Sequence, residues 1–392
     1  MEENRQVYLD YSATTPVKRE VLDAMLPYFT ENFGNPSSLY TVGQKSKDAI
    51  RTARDQVAGL IGAQPSEIFF TSSGTEADNW AVIGAAMWKR GKGKHVITSA
   101  IEHHALLHSG DHLEKEGFDV TYLPVDAQGF VRPDDLEKAI RDDTTVVSIM
   151  FANNEIGTIQ PIAELCRIAR AHGVLFHTDA VQALGNVPID VNGLGVDMLS
   201  MSGHKIYGPK GVGALYVRKG VNLPAYMQGG AQESGKRAGT ENLTGIVGFG
   251  KAAELSGQNL EKHIAGLRGL RDYLLEKIRA EISDIRVNGS LESRLPGNLN
   301  VTFKYIEGEA ILLLLDMAGI AVSTGSACSS ASLTPSHVLD AIGVPVEEIH
   351  GSIRFTVGDF TTKEDIDYTV EALKTAVSKL RGISSLSRDS GF

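Results

Sequence analysis

The chain has 392 residues, enough for two hydrophobic cores, and its 42% apolar and 22% charged residues are the balance of an ordinary globular protein. A formal charge of −10 excludes a general nucleic-acid or anionic-membrane surface. Two cysteines cannot build a disulfide framework and match no zinc-ligand spacing, which predicts a reducing, cytoplasmic setting.

The opening MEENRQVYLDYSATTP has no basic stretch followed by an apolar run, so no secretory signal is predicted. From Gln44 to Gly220, helix and strand patterns alternate. Ile50, Ala53, Val57, Leu60 and Ile61 form a helical stripe that stops at Gly62. Strand IFFT precedes a helix predicted over Glu76–Lys89. Strand HVITSA precedes a helix over Ala105–Glu116, and VTYLPV reads as the next strand. Pro133 opens the helix DDLEKAI, and VVSIMF reads as a buried strand. A helix carrying Cys166, with Ile162, Leu165 and Ala169 on the same face, leads into VLFHTDA, so Cys166 is assigned to the core. VDMLSMSGHK and GALYVRK read as two further strands. This β-α-β order with uniformly apolar strands predicts an α/β fold with a mainly parallel sheet, whose ligands collect at the carboxyl ends of strands.

Beyond it the pattern changes. One long helix is predicted over Leu243–Ile282. Strand NLNVTF, helix EAILLLLDMAG and strand IAVST follow. Thr334 and Pro335 are read as the N-cap and first turn of SHVLDAI, with Gly343 as its stop. Strand SIRFTV and helix KEDIDYTVEALKTAVSKLRG close a smaller α+β unit, to which the N-terminal strand is expected to return. The longest aliphatic run, Ile311–Leu315, is too short to span a bilayer.

The chemistry collects at strand ends. Asp179 closes an apolar strand; alone, a helix-capping Asp explains it. Lys205, in SMSGHKIYGPKG, sits at a buried strand end, where an amine is unusual unless it is paired or covalently used. Together a carboxylate and a lysine on neighbouring strand ends match the needs of pyridoxal phosphate, an acid for the ring nitrogen and a Schiff-base lysine. In TSSGTEADN, Gly74 and Thr75 open a helix whose N–H groups suit a phosphate, and a Ser/Thr cap uses the same groups. His103 follows a strand, where its imidazole could stack on a ring. His104, His108 and His112 are read as an exposed helix face, not a metal site, because no HExxH pattern is present. Cys328 lies in STGSACSSAS, among small residues that offer no core, so it reads either as a thiol in a plain loop or as a nucleophile on a flexible arm.

The ordered motifs SSGTEADN, EHHALL, ANNEIG, HTDAVQ, SGHKIYGPKG, RAGTEN, GSACSSAS and SIRF resemble the cysteine desulfurase family, class V of the fold-type-I pyridoxal-phosphate enzymes. The long cysteine segment resembles the extended-loop branch. RAGTENLTGIVG leans toward the nitrogen-fixation type, and the ending SSLSRDSGF departs from the housekeeping iron–sulfur type. The resemblance implies a seven-stranded sheet in a large domain over 15–258. It implies a small domain from 1–14 and 259–392 carrying the cysteine loop, 323–333. It makes Lys205 the cofactor lysine, Asp179 the partner of the ring nitrogen, Gln182 the partner of the ring hydroxyl, and His103 the stacking residue. Gly74, Thr75, Ser202 and His204 form the phosphate cup, joined by Thr240 from a second subunit of a homodimer. Asn154 contacts cofactor and substrate, and Arg354 holds the substrate carboxylate.

The implied reaction removes sulfur from L-cysteine, with Lys205 moving the Cα proton and the Cys328 thiolate taking the sulfur as a persulfide. A nearby cation or proton acceptor would assist that thiol, and His103 is the candidate. The sulfur then passes to an acceptor or iron–sulfur scaffold protein. No resident metal is expected, and Cys328 is open as a transient iron–sulfur ligand. A selenocysteine lyase or cysteine sulfinate desulfinase would use the same site. A class V aminotransferase would not need Cys328, and an inactive scaffold of the same fold would need neither Lys205 nor Cys328.

Overall fold

The structure, a computed structural model, describes residues 5–324 and 335–384. Its strands are β1 (Val7–Tyr8), β2 (Ile68–Thr71), β3 (His95–Ser99), β4 (Asp119–Leu123), β5 (Thr144–Ser148), β6 (Leu175–Asp179), β7 (Met198–Ser202), β8 (Gly213–Val217), β9 (Ile285–Asn288), β10 (Asn298–Phe303), β11 (Ile320–Ala321) and β12 (Ser352–Thr356). Seven of them form one sheet in the order β2-β8-β7-β6-β5-β3-β4. Pairing is parallel from β7 to β4, and β8 runs antiparallel to both neighbours. The reversal at β8 follows from its connection. The short turn from Gly203 has no crossover helix, and a parallel return needs one of a dozen residues or more.

The sheet is apolar on both faces because successive side chains point to opposite sides. Val147, Leu199 and Tyr216 join one core, with Val57, Ile61, Phe176 and Phe249. Val146, Met198 and Leu215 join the other, under Trp80, Ala81 and Leu106. Cys166 belongs to the first core and is fully buried, as its helical stripe predicted. The helix Thr41–Leu60 ends before Gly62, which adopts φ +69°, a conformation costly for any side chain.

A separate core lies around the antiparallel sheet β12-β10-β9 and the helices Leu260–Glu281 and Lys363–Ile383, and includes Leu274, Val301, Phe303, Phe355 and Leu373. β1 returns to this unit as expected, pairing parallel with β11.

Two local expectations need correction. The single helix over Leu243–Ile282 is two helices, Leu243–Gln258 and Leu260–Glu281, broken at Asn259 with φ −133° and ψ 21°. Gly257 and Asn259 are poor helix formers at that junction, so the apolar stripe runs on while the backbone does not. The helix His337–Ala341 is capped by Ser336, whose Oγ accepts from the Leu339 amide at 3.2 Å, and Pro335 precedes it. Thr334 lies outside the described residues.

Candidate active site

Strand ends and helix starts converge on a cavity of about 340 Å³ at the carboxyl edge of β5, β6 and β7. Gly74, Thr75, His103, Asn154 and Asp179 line it, together with Gln182, Ser202, His204, Lys205 and Arg354. Ten of the twelve residues singled out in the sequence therefore share one cavity. Thr240 is exposed and lines no part of it, and Cys328 lies outside the described residues.

Lys205 closes a short 3₁₀ turn after β7, and its Nζ donates to the carbonyl of Ala13 at 2.7 Å and to that of Ser12. Gln182 Nε2 donates to the same Ser12 carbonyl at 3.0 Å. The helix Gly74–Lys89 starts two residues earlier than predicted, with Ser73 as its N-cap. A Cβ on Gly74 would stand 2.5 Å from Val181 Cγ2, so glycine allows this helix end to reach the segment after β6. Gly74 and Thr75 of the first turn line the cavity, which therefore meets the positive end of this helix, while the Glu76 amide is taken by Ser73 Oγ at 3.1 Å.

Burial raises the Asp179 carboxyl above the ordinary range, opposed by the Val181 amide at 2.8 Å and the Lys205 charge. Burial, then the Asp179 charge, raises Asp78 well above it. Glu102 is pushed up to about 8 by burial, although its Oε1 accepts from Ser99 Oγ at 2.5 Å and the Met150 amide at 2.9 Å. His177 is held between Ser148 Oγ at 2.8 Å and Ser200 Oγ at 2.9 Å, and burial lowers it to about 3. His103 caps the helix His104–Lys115, its Nδ1 accepting from the Ala105 amide at 3.1 Å. Burial, then His104 and Lys205, lower it to about 4. At neutral pH His103 is therefore uncharged, and with its Nδ1 lone pair taken by the Ala105 amide its ring hydrogen sits on Nε2. His204 is likewise lowered to about 4 by burial and by Lys205.

Arg354, on β12, is buried and donates from Nη2 to Asp10 Oδ1 at 2.8 Å and from Nη1 to the Asn154 carbonyl at 3.1 Å. The described flanks of 325–334 meet the same region. Ser323 pairs with Arg354 through the backbone, Ser336 Oγ donates to Glu155 Oε2 at 2.6 Å, and His337 Nε2 lies 3.0 Å from the Glu102 carbonyl.

Of the three histidines assigned to an exposed face, His108 and His112 are exposed. His104 is half-buried, with its ring centroid 5.5 Å from His108 and 5.0 Å from His337. The sequence reading missed Asp10, Ser12 and Ala13, and the buried Asp78, Glu102 and His177. The N-terminal group had a signal, since Ser12–Thr15 is a run of small and hydroxyl residues after a strand, like the one at Ser72–Thr75. The buried group had none, because one acidic or imidazole side chain inside an apolar strand or helix reads as noise.

The model of the class-V aminotransferase family matches residues 7–369. A curated cysteine desulfurase IscS of Dictyoglomus turgidum is 57% identical over 97% of this chain and 96% of its own. One of Methanosarcina thermophila is 58% identical over 98% of this chain and 95% of its own. The chain belongs to the cysteine desulfurase family. A solved structure titled NifS-like protein matches 96% of this chain and 100% of its own with a TM-score of 0.91 and 39% identity. Another, SspA in complex with cysteine, matches 91% and 100% with a TM-score of 0.80 and 39% identity. These matches carry the fold-type-I architecture read from the motifs.

The family's cofactor is pyridoxal 5′-phosphate, and the residues present fit it. Asp78 Oδ1, Glu102 Oε2 and Ser202 Oγ are buried on the walls of the cavity without hydrogen-bond partners among the described residues. Such orphaned atoms are what a bound polar group satisfies. The positive helix end suits a phosphate, and the buried carboxyls suit a protonated ring nitrogen.

Proposed function

We propose that this chain takes sulfur from L-cysteine, leaving L-alanine and a persulfide on Cys328. The observation that carries the reading is the shared cavity, in which a strand-end lysine, a buried carboxyl and a helix N-terminus face one space. Lys205 would hold the cofactor, Asp179 its ring nitrogen, Gln182 its ring hydroxyl, and His103 would stack on the ring. Gly74, Thr75, Ser202 and His204 would receive the phosphate, with Thr240 of the partner subunit of a homodimer. Bound there, the cofactor supplies an electron sink that makes the substrate Cα acidic and weakens the Cβ–S bond.

The chain's own groups do the rest. Arg354 and Asn154 orient the substrate through its carboxylate, and Lys205 Nζ takes the Cα proton. The Nε2–H of neutral His103 would donate a hydrogen bond to the Cys328 sulfur, which favours the thiolate. That thiolate attacks the substrate sulfur. An S–S bond forms, the Cβ–S bond breaks, and its electron pair leaves with the carbon that becomes the methyl group of alanine once protonated. Cys166 is unsuited to this step, since burial pushes its thiol up to about 12.

The persulfide sulfur would pass to an acceptor or iron–sulfur scaffold protein in the cytoplasm. No helix among the described residues is long and apolar enough to cross a membrane. In the same reading, 15–258 form the cofactor domain, and 1–14 with 259–392 the small domain. Incubating the pyridoxal-phosphate-loaded protein with L-cysteine and a reducing thiol tests the proposal. Alanine and sulfide should appear in equal amounts, whereas a keto acid without alanine would overturn it.

A further inference from the structure

Arg354 is a guanidinium almost wholly withdrawn from water, with 2% of its side chain exposed. A buried cation is costly unless an anion and hydrogen bonds compensate it, and its direction is then set by those partners. Asp10 supplies an anion in contact, at 2.8 Å from Nη2. Its backbone is fixed on several sides. The Asp10 carbonyl accepts from Tyr8 Oη at 2.9 Å and from the Ala13 amide at 2.9 Å. On either side, the Leu9 carbonyl accepts from the Thr356 amide at 2.7 Å, and the Ser12 amide donates to Thr356 Oγ1 at 2.9 Å. The Asp10 backbone is therefore tied to the strand that bears Arg354. Ser12 and Ala13, immediately after it, present the carbonyls that receive Lys205 Nζ. One short segment thus holds both the arginine and the lysine of the cavity.

We propose that Asp10 is a positioning residue for the substrate α-carboxylate, holding the Arg354 guanidinium aimed into the cavity. The inference rests on Arg354 being the carboxylate site, as read above. Its chemical consequence is selectivity for ligands that carry an α-carboxylate beside the amine. The charge of Asp10 keeps Arg354 aimed at the cavity, while the reacting atoms belong to Lys205 and the substrate. Removing that charge weakens a charge-assisted contact, a loss expressed as about tenfold in affinity.

The test uses the pyridoxal-phosphate-loaded protein and titrates L-alanine, which has the carboxylate but no sulfur, against ethylamine, which has no carboxylate. Asp10→Asn should weaken L-alanine binding about tenfold and leave ethylamine binding and cofactor content unchanged. In turnover, KM for L-cysteine should rise by a similar factor while kcat stays within about twofold. Asp10→Glu keeps the charge and should recover part of the loss, and it decides the matter if Asp10→Asn does not fold. Equal weakening of both ligands, or unchanged or tighter L-alanine binding in Asp10→Asn while Arg354→Ala weakens it, overturns the role of Asp10. Unchanged L-alanine binding in Arg354→Ala overturns the reading of Arg354 itself, whatever Asp10 does.

Discussion

Ser323 and Arg354 exchange two backbone hydrogen bonds, 2.7 Å from the Arg354 amide to the Ser323 carbonyl and 3.2 Å in return. One residue of β12 therefore directs a guanidinium into the cavity and anchors the chain that leads on to Cys328. The opposite flank is held at the same cavity by Ser336 on Glu155 and His337 on Glu102. Both ends of the cysteine-bearing segment are thus fixed at the place where the proposed chemistry occurs.

The two thiols should behave in opposite ways. Cys328→Ser should reduce alanine formation to a small residual while leaving cofactor binding intact, because other residues build the cofactor cavity. Cys166→Ser should keep normal turnover and lose about 1–3 kcal/mol of stability, since it places a hydroxyl in an apolar core. Mass analysis of the native protein after a short alkylation adds a direct reading. Cys166, with its thiol pushed up to about 12, should remain unmodified until the protein is unfolded. Turnover retained in Cys328→Ser would remove the persulfide step and bring the aminotransferase reading forward.

Lys205→Ala should abolish covalent retention of pyridoxal phosphate after borohydride reduction, together with its visible absorption. The amine sits among the Ser12 and Ala13 carbonyls in the wall of the cavity. Label recovered on a different lysine would exclude Lys205 as the attachment point.

The large sheet was legible in the sequence because β-α-β repetition writes strands as apolar runs, and IFFT and NLNVTF became β2 and β10 at the predicted bounds. Residues at strand ends were legible for the same reason, since a polar group following an apolar run marks where the sheet meets its ligand. What escaped depends on contacts between distant segments. Asp10 acquires its meaning only where β1 and its continuation meet β12, and Asp78 and His177 only where a helix and a strand face one another across the sheet. The break at Asn259 escaped because both helices around it carry apolar residues at helical spacing. β9 is short and half-exposed, so it lacks the continuous apolar run that marked the other strands.

The segment that carries Thr240 is held by ion pairs whose removal should be measurable. Glu233 and Ser234 adopt φ 46° and 57°, strained for non-glycine residues, and the buried Glu233 carboxylate meets Arg54 at 2.6 and 2.8 Å and the Phe70 amide at 2.9 Å. Arg54→Ala would leave that carboxylate buried without its cation, at a cost of about 3 kcal/mol by denaturant unfolding. The double variant Arg54→Met, Glu233→Gln should recover most of the loss. If Thr240 serves the partner's phosphate site, Arg54→Ala should also speed cofactor loss during dialysis, and unchanged stability in the single variant would deny the anchor.

Glu102 sets a pH dependence whose sign can be worked out. Its folded pKa of about 8 lies above the ordinary 4.5 of a free Glu, because burial disfavours the carboxylate. Between those values the unfolded chain releases the proton while the folded protein keeps it, so this residue's contribution is complete below about pH 4.5 and is lost as pH rises toward 8. The buried histidines act in the opposite sense. His177, lowered to about 3, supports the fold above its unfolded value and loses that support as pH falls toward 3. Glu102→Gln isolates the first effect. The amide oxygen can still accept from Ser99 and the Met150 amide, and the amide nitrogen stands where the protonated acid carries its hydrogen. The variant and the parent should melt at similar temperatures near pH 5. The variant should gain as pH rises to 8, by at most about 1.4 kcal/mol for each pH unit crossed. A constant difference in melting temperature between pH 5 and pH 8 would show that Glu102 is ionised in the folded protein.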